Sequence, residues 1–501
     1  MSESQLVSAE IPAQGGASLV DIGEPAEVGR IADALAQLLP AIEQFWAYPD
    51  RDDSGARRQA WQERLGGALP ESGQGLDAVL ADLRESVVPN GSRIGEPGWA
   101  GFITTGPTTS AAAAWLASAT AGGQRYLVQS FNSVERISLQ WLAELCGLDP
   151  SMQGVYSSGG STANLVALGA ARQWAFEQRG VDVAQDGMPS GATARIYTSE
   201  QAHKTIQRSA AVLGLGRNGT RHIAVDADQR IDIHALRSAL EEDRAAGIVP
   251  IAIVGVAGTT DTGAIDPLEE LADLAEEFGT WFHVDGAYGL IAAASPRLQP
   301  KLAAARRAHS AIVDPHKWLA TGVGCAATFV KDSGVLLRAF TEGEAAYLEG
   351  SFSSGEEEAV VQFDAIGVPY ADMGVELSSP SRGVTVWAVL REIGRAGVAA
   401  RVERHCSYAR HLTERARAHP RLEALTDPDL SVACFRYRAS DAVNAQILQQ
   451  LRRTTRSIPS STVVNGQFAI RPCYINPRTT LAEVEQLVAD VVRIGDELTR
   501  A

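Results

Sequence analysis

The chain is poor in the features that would tie it to an oxidising compartment, a bilayer or a nucleic acid. Its five cysteines (Cys146, Cys325, Cys406, Cys434 and Cys473) are scattered and odd in number, and no CxxC pair occurs. That excludes a disulfide framework and a zinc knuckle, and implies a reduced, cytoplasmic setting. No Lys/Arg run interrupts a composition of 60 acidic and 44 basic side chains with formal charge −16. Such a chain repels nucleic acid and anionic membranes, and its charge serves solubility. The opening MSESQLVSAEIPAQGGAS lacks the basic and apolar stretches of a signal peptide. The longest soft run, Thr109 to Gly123, is Ala-rich and too short to span a bilayer. A soluble protein with no membrane or nucleic-acid partner is expected.

What is present is an ordinary globular composition, 45% hydrophobic with 47 Gly and 22 Pro, over 501 residues, enough for two or three domains. Residues 1 to about 20 are polar and read as disordered. From Glu27 to about Leu83 the spacing of Ile31, Leu35, Leu38, Leu39, Ile42 and Phe45 predicts a helical arm. Between about 155 and 335, short apolar runs alternate with helical periods. Ala194–Thr198, Pro250–Ala257, Trp281–Val284, Ser310–Val313 and Ala326–Val330 read as strands. Ala202–Leu213 and Pro267–Phe278 read as helices. Runs buried on both faces and separated by helices predict an α/β fold, a mostly parallel sheet covered by helices. A Gly-, Ser- and Glu-rich stretch at 341–380 reads as a lid loop. Helices are expected at Gly383–Ile393 and Ala399–Ala418, then a small C-terminal α+β segment with strands at Val432–Tyr437 and Gln467–Arg471. The domain boundaries expected are 1–90 for the tail and arm, 91–382 for a large ligand-binding domain, and 383–501 for a small domain.

Four features stand at the ends of expected strands, where ligands sit in such folds. Ser157-Ser158-Gly159-Gly160-Ser161-Thr162-Ala163-Asn164 precedes a helix, so its glycines and free N–H groups suit an anion, although it also reads as a plain turn and N-cap. His203 follows the Ala194–Thr198 strand and reads as either a cap or a ring-stacking group. Asp285 ends the strand in WFHVDGAYG. A carboxylate there needs a partner, which a structural cap, a metal or a protonated pyridine nitrogen would supply. No second carboxylate stands at ligand spacing in that motif, so no metal is expected. Lys317 lies in DPHKWL, 32 residues after Asp285, among apolar neighbours. Burial favours a neutral amine, which imine formation needs. An anion cradle, a flat imidazole, a carboxylate and an imine-forming amine are the inventory that a phosphorylated pyridine aldehyde requires.

With SSGGSTANL, SEQAH, GTTDTGAIDP, HVDGAYG and DPHKWL in this order, the chain resembles the group II pyridoxal 5′-phosphate (PLP) decarboxylases of aromatic L-amino acids, glutamate and 2,4-diaminobutyrate, over about residues 90–490. The resemblance implies PLP fold type I and a homodimer with active sites at its interface. It further implies that Lys317 forms a Schiff base with the cofactor, that Asp285 pairs with its ring nitrogen and that His203 stacks on the ring. Gly160, Ser161, Thr162 and Asp314 would hold the phosphate region. Thr260, Ala287 and His316 would touch the cofactor, and Thr105 and Arg471 the substrate. Tyr370, 17 residues before Trp387, matches the loop tyrosine that protonates the intermediate in aromatic decarboxylases. Three departures stand out: Ser379-Pro380 replaces a paired Arg, Asp314 stands where Asn is common, and Arg125 occupies a stretch that lines the pocket for aromatic substrates. The reaction implied is decarboxylation of an amino acid to its amine. A decarboxylating aldehyde synthase and another PLP lyase of the same fold are the alternatives.

Overall fold

The computed structural model describes residues 30–49, 55–125, 129–341, 368 and 370–500. It divides into two units, Met1–Arg93 and Ile94–Ala501. The first unit contains helices α1 (Arg30–Trp46), α2 (Gly55–Leu65) and α3 (Leu76–Asp82). The expected helical arm is thus broken into three pieces. Ile31 and Leu39 of its apolar series are 47% and 51% exposed, while Ala41 is buried.

The second unit opens with β1 (Trp99–Ala100), α4 (Thr109–Thr120), α5 (Gln129–Leu145), β2 (Gln153–Ser157) and α6 (Gly160–Glu177). Next come β3 (Ala194–Ser199), α7 (Thr205–Val212), β4 (Thr220–Ile223), α8 (Ile233–Ala245), β5 (Val249–Val256), α9 (Leu268–Phe278) and β6 (Trp281–Asp285). α10 (Gln299–Leu302), β7 (Ser310–Val313), β8 (Ala326–Val330) and α11 (Ser333–Phe340) complete the larger layer. The smaller layer is built by α12 (Gly383–Ala418), β9 (Leu422–Ala424), β10 (Phe435–Tyr437), α13 (Asp441–Thr454), β11 (Ile458–Val464), β12 (Gln467–Arg471) and α14 (Leu481–Arg500).

Seven strands form one sheet in the order β2-β8-β7-β6-β5-β3-β4. Every neighbour pair from β7 through β4 is parallel, whereas β8 runs antiparallel to both β7 and β2. Ile251 to Val254 of β5, Trp281 to Val284 of β6 and all of β7 are buried, as strands covered on both faces must be. Each such Val, Leu or Ile contributes about 1.5–3 kcal/mol relative to exposure. α9 lays Leu268, Leu271, Leu274 and Ala275 against the sheet and ends at Gly279, whose φ of 60° places it in the left-handed region that glycine adopts readily. The second sheet runs β1-β11-β12-β10-β9 and recruits its edge strand from residues 99–100, far upstream of the rest.

The expected strands at 310–313, 326–330 and 467–471 coincide with β7, β8 and β12. Val432 lies outside β10 and makes only an isolated bridge to Cys473. α7 starts at Thr205, after a turn containing His203. The helices expected at 383–393 and 399–418 are parts of α12, with a break at Gly394 (φ 60°, ψ 179°). Of the expected lid, residues 342–367 and 369 lie outside the described residues. Among the described residues no helix is long and apolar enough to cross a membrane.

Candidate active site

The carboxyl ends of the parallel strands carry the expected groups. α6 begins at Gly160, directly after β2, so Gly160, Ser161 and Thr162 form its first turn and present N–H groups at the positive end of an 18-residue helix. A Cβ at Gly160 would meet the Asp314 carboxylate at 2.7 Å, so glycine lets that carboxylate approach the start of α6. Ser158 and Thr162 join hydroxyls at 3.0 Å, and the Ser158 N–H donates to Glu376 Oε1 at 3.1 Å. Glu376 is in turn gripped by Arg382 at 2.7 Å, whose Nε donates to the Gly324 carbonyl at 2.9 Å. Glu376 therefore anchors the turn ahead of α6, a role that nothing in the local sequence signalled.

Lys317 follows β7. Its Nζ is paired with Asp314 at 3.0 Å, and its side chain is 20% exposed. Asp314 is the counter-ion of Lys317 and also lies beside Gly160 at the start of α6. Its Oδ1 is buried without a partner among the described residues. His316 donates from Nδ1 to the Cys325 carbonyl at 2.7 Å, turning Nε2 towards Asp314 at 3.8 Å. The turn is clamped from below. Trp318 is fully buried, stacks on Tyr288 with centroids 5.0 Å apart, and donates to His405 Nδ1 on α12 at 2.9 Å. Arg401 of α12 donates to the Trp318 and Leu319 carbonyls.

Asp285 ends β6 and is 5% exposed. Its Oδ2 accepts from Asn164 Nδ2 at 3.1 Å, and its Oδ1 from the Ala287 N–H at 3.2 Å. Ala287 thereby serves the carboxylate through its backbone, and its carbonyl accepts from the Asp314 N–H. His203 joins these groups: burial pushes its pKa below the ordinary value, Asp285 and Asp314 raise it, and Lys317 lowers it further. One imidazole is thus within electrostatic reach of both carboxylates and the amine.

Other expected residues lie elsewhere or do other work. Arg471, 3% exposed, donates to the carbonyls of Phe102 at 3.0 Å, Asp261 at 3.3 Å and Thr260. These bonds hold two loops together, and Thr260 enters the arrangement through its carbonyl. Thr105 is fully buried with its hydroxyl on the Gly106 carbonyl. Arg125, 1% exposed, donates to the carbonyls of Tyr156 and Glu376.

Tyr370 sits 2% exposed in a short 3-10 turn, and its backbone N–H bonds the Val368 carbonyl. Burial and then the charge of Glu135 push its phenol upward. Its neighbour Glu135 accepts the Gly383 N–H at 2.7 Å, and its Oε1 has no partner among the described residues. Burial, opposed by Arg125, pushes this carboxyl up to about 7. A folded-state pKa above the unfolded value means that stability is full below about pH 4.5 and is lost as pH rises through 7, by about 3 kcal/mol at most. Glu135→Gln removes that slope. Its thermal midpoint should match the parent at pH 5 and exceed it at pH 8, and parallel curves for the two proteins would sink the assignment.

Comparison with known proteins agrees with this geometry. Residues 60–438 match the family model of the pyridoxal-dependent decarboxylase conserved domain. The chain is 27% identical over 460 residues to an aromatic-L-amino-acid decarboxylase of Bacillus atrophaeus, covering 87% of this chain and 89% of that protein. It is 30% identical over 439 residues to an L-2,4-diaminobutyrate decarboxylase of Rhizobium meliloti, covering 86% and 84%. The crystal structure of Oryza sativa TDC with PLP and tryptamine superposes with a TM-score of 0.84 at 24% identity, over 95% of this chain and 99% of that one, and shares the fold.

Proposed function

Because the chain belongs to the pyridoxal-dependent decarboxylases, enzymes that use PLP to remove carbon dioxide from an amino acid, we propose that Lys317 holds the cofactor covalently through its amine and that the product is the simple amine of an L-amino acid. The observation that carries this reading is the convergence of Lys317, Asp314, Asp285 and His203 in front of the α6 N-terminus.

The residues present fit that cofactor. The first turn of α6, with its free N–H groups, suits a phosphate. The buried Asp285 carboxylate suits a protonated ring nitrogen. When bound, PLP supplies an electron-accepting ring for the electron pair that departing carbon dioxide leaves behind. The chain's own residues do the rest. Asp285 holds a proton on the ring nitrogen, and its two N–H partners fix its direction. His203 would face the ring, with burial lowering its pKa. Asp314 keeps the Lys317 amine in place, and the Trp318 clamp holds the turn that carries it. A homodimer in the cytoplasm is part of the same reading, and the five free, buried thiols support the reducing compartment.

The test is a screen of the common L-amino acids for release of carbon dioxide, with amine, aldehyde, ammonia and peroxide measured together. Amine and carbon dioxide in equal amounts, without peroxide, are expected. Aldehyde with peroxide would reassign the chain to the oxygen-using alternative, and no carbon dioxide from any substrate would end the reading.

A further inference from the structure

Asn164 occupies the second turn of α6, is 2% exposed, and bonds Asp285 directly and His203 through Thr205. Its hydrogen-bond directions are determined without ambiguity. Asp285 Oδ2 can only accept, so Asn164 presents its Nδ2 there at 3.1 Å. Its Oδ1 therefore faces His283 Nε2 at 2.9 Å, and that nitrogen must carry the proton. His283 is fully buried, which pushes its pKa down to about 4, so the ring is neutral and its Nδ1 accepts from Ser310 Oγ at 2.8 Å. Ser310 Oγ in turn accepts from the Trp281 indole at 2.7 Å. The chain begins at a group that can only donate and ends at one that can only accept, so every hydrogen runs one way, from Trp281 to Asp285.

A branch reaches His203. The second Nδ2 hydrogen of Asn164 points at Thr205 Oγ1 at 3.4 Å. Thr205 Oγ1 lies 2.9 Å from His203 Nδ1, and the Thr205 N–H also donates to that nitrogen at 3.4 Å. A backbone N–H cannot accept, so Nδ1 is the lone-pair side and the His203 proton sits on Nε2.

We propose that Asn164 is the positioning residue that sets both faces of the site: through Trp281, Ser310 and His283 it holds Asp285 as an aimed acceptor, and through Thr205 it fixes the Nε2–H tautomer of His203. This rests on the reading that Asp285 serves the cofactor's ring nitrogen. A hydrogen bond to a charged group made in the core is among the stronger ones, and its loss leaves the carboxylate free to turn.

The experiment compares the parent with Asn164→Ala, Ser310→Ala and Ser310→Thr, with Asp285→Asn as reference. Three quantities are read: the PLP dissociation constant, the 15N shift of ring-labelled PLP on the protein, and the 15N–1H signals of labelled histidines before PLP is added. In Asn164→Ala, PLP affinity should fall about tenfold, the ring-nitrogen signal should move toward its unprotonated position, and the Nε2–H signals of His203 and His283 should broaden. Ser310→Ala should disturb His283 and shift the ring nitrogen in the same direction by less, and Ser310→Thr should restore both. Unchanged histidine signals and a ring-nitrogen shift equal to the parent's in a folded Asn164→Ala protein would overturn the proposal. If Asp285→Asn itself leaves affinity and ring nitrogen unaltered, the role of Asp285 fails, and the relay falls with it. Should Asn164→Ala not fold, the Ser310 pair decides alone, since Ser310→Ala matching the parent in all three readings overturns the relay.

Discussion

Lys317→Ala protein will fail to retain PLP through gel filtration and will release no carbon dioxide above the buffer rate. The amine of Lys317 is paired with Asp314 and shares the electrostatic surroundings of His203. Removing it leaves the cofactor with phosphate and ring contacts but no covalent hold. Activity should drop by more than about four orders of magnitude, equivalent to more than about 5 kcal/mol of barrier. Folding should survive, because the turn is held by Trp318, His405 and Arg401 and not by the lysine side chain. Retained turnover would remove the covalent step from the proposal.

Asp285→Asn should produce the second largest effect. The amide has the size of the carboxylate but no charge, and it cannot hold a proton on a ring nitrogen. One of its atoms becomes a donor: turned towards Asn164 it opposes another donor, and turned towards Ala287 it opposes a backbone N–H. A loss of about 3–5 kcal/mol, or about 10²–10⁴ in kcat, is expected, together with weaker PLP binding. Steady-state kinetics at saturating PLP checks it. A variant within tenfold of the parent would show that the ring nitrogen needs no acid here.

Much of this site was legible in the chain because its parts are local. Asp285 ends β6, Gly160 and Lys317 follow β2 and β7 within a few residues, and short apolar runs such as Ser310–Val313 mark their strands without help from the rest of the fold. What could not be read depends on pairs distant in sequence. Asn164 meets Asp285 across 121 residues and His283 across 119, so nothing beside any one of them reveals the relay. Glu376 reaches Ser158 from 218 residues away. Arg471 and Arg125 have the charge of substrate-binding groups, yet each finds backbone carbonyls that only folding brings near. The charge of Glu135 that acts on the buried Tyr370 phenol likewise comes from a residue far away in sequence. Strands of two or three residues, such as β1 and β9, are too short to leave a periodic trace.

The reversed strand β8 has a consequence for how such an enzyme can diversify. A parallel neighbour would force the chain after Lys317 to cross beneath the sheet and return, burying most of that connection far from the cofactor. Because β8 instead starts where β7 stops, residues 314–325 stay on the reactive rim from end to end. Substitutions in that one ribbon can retune chemistry directly, while the scaffold helices behind it stay untouched.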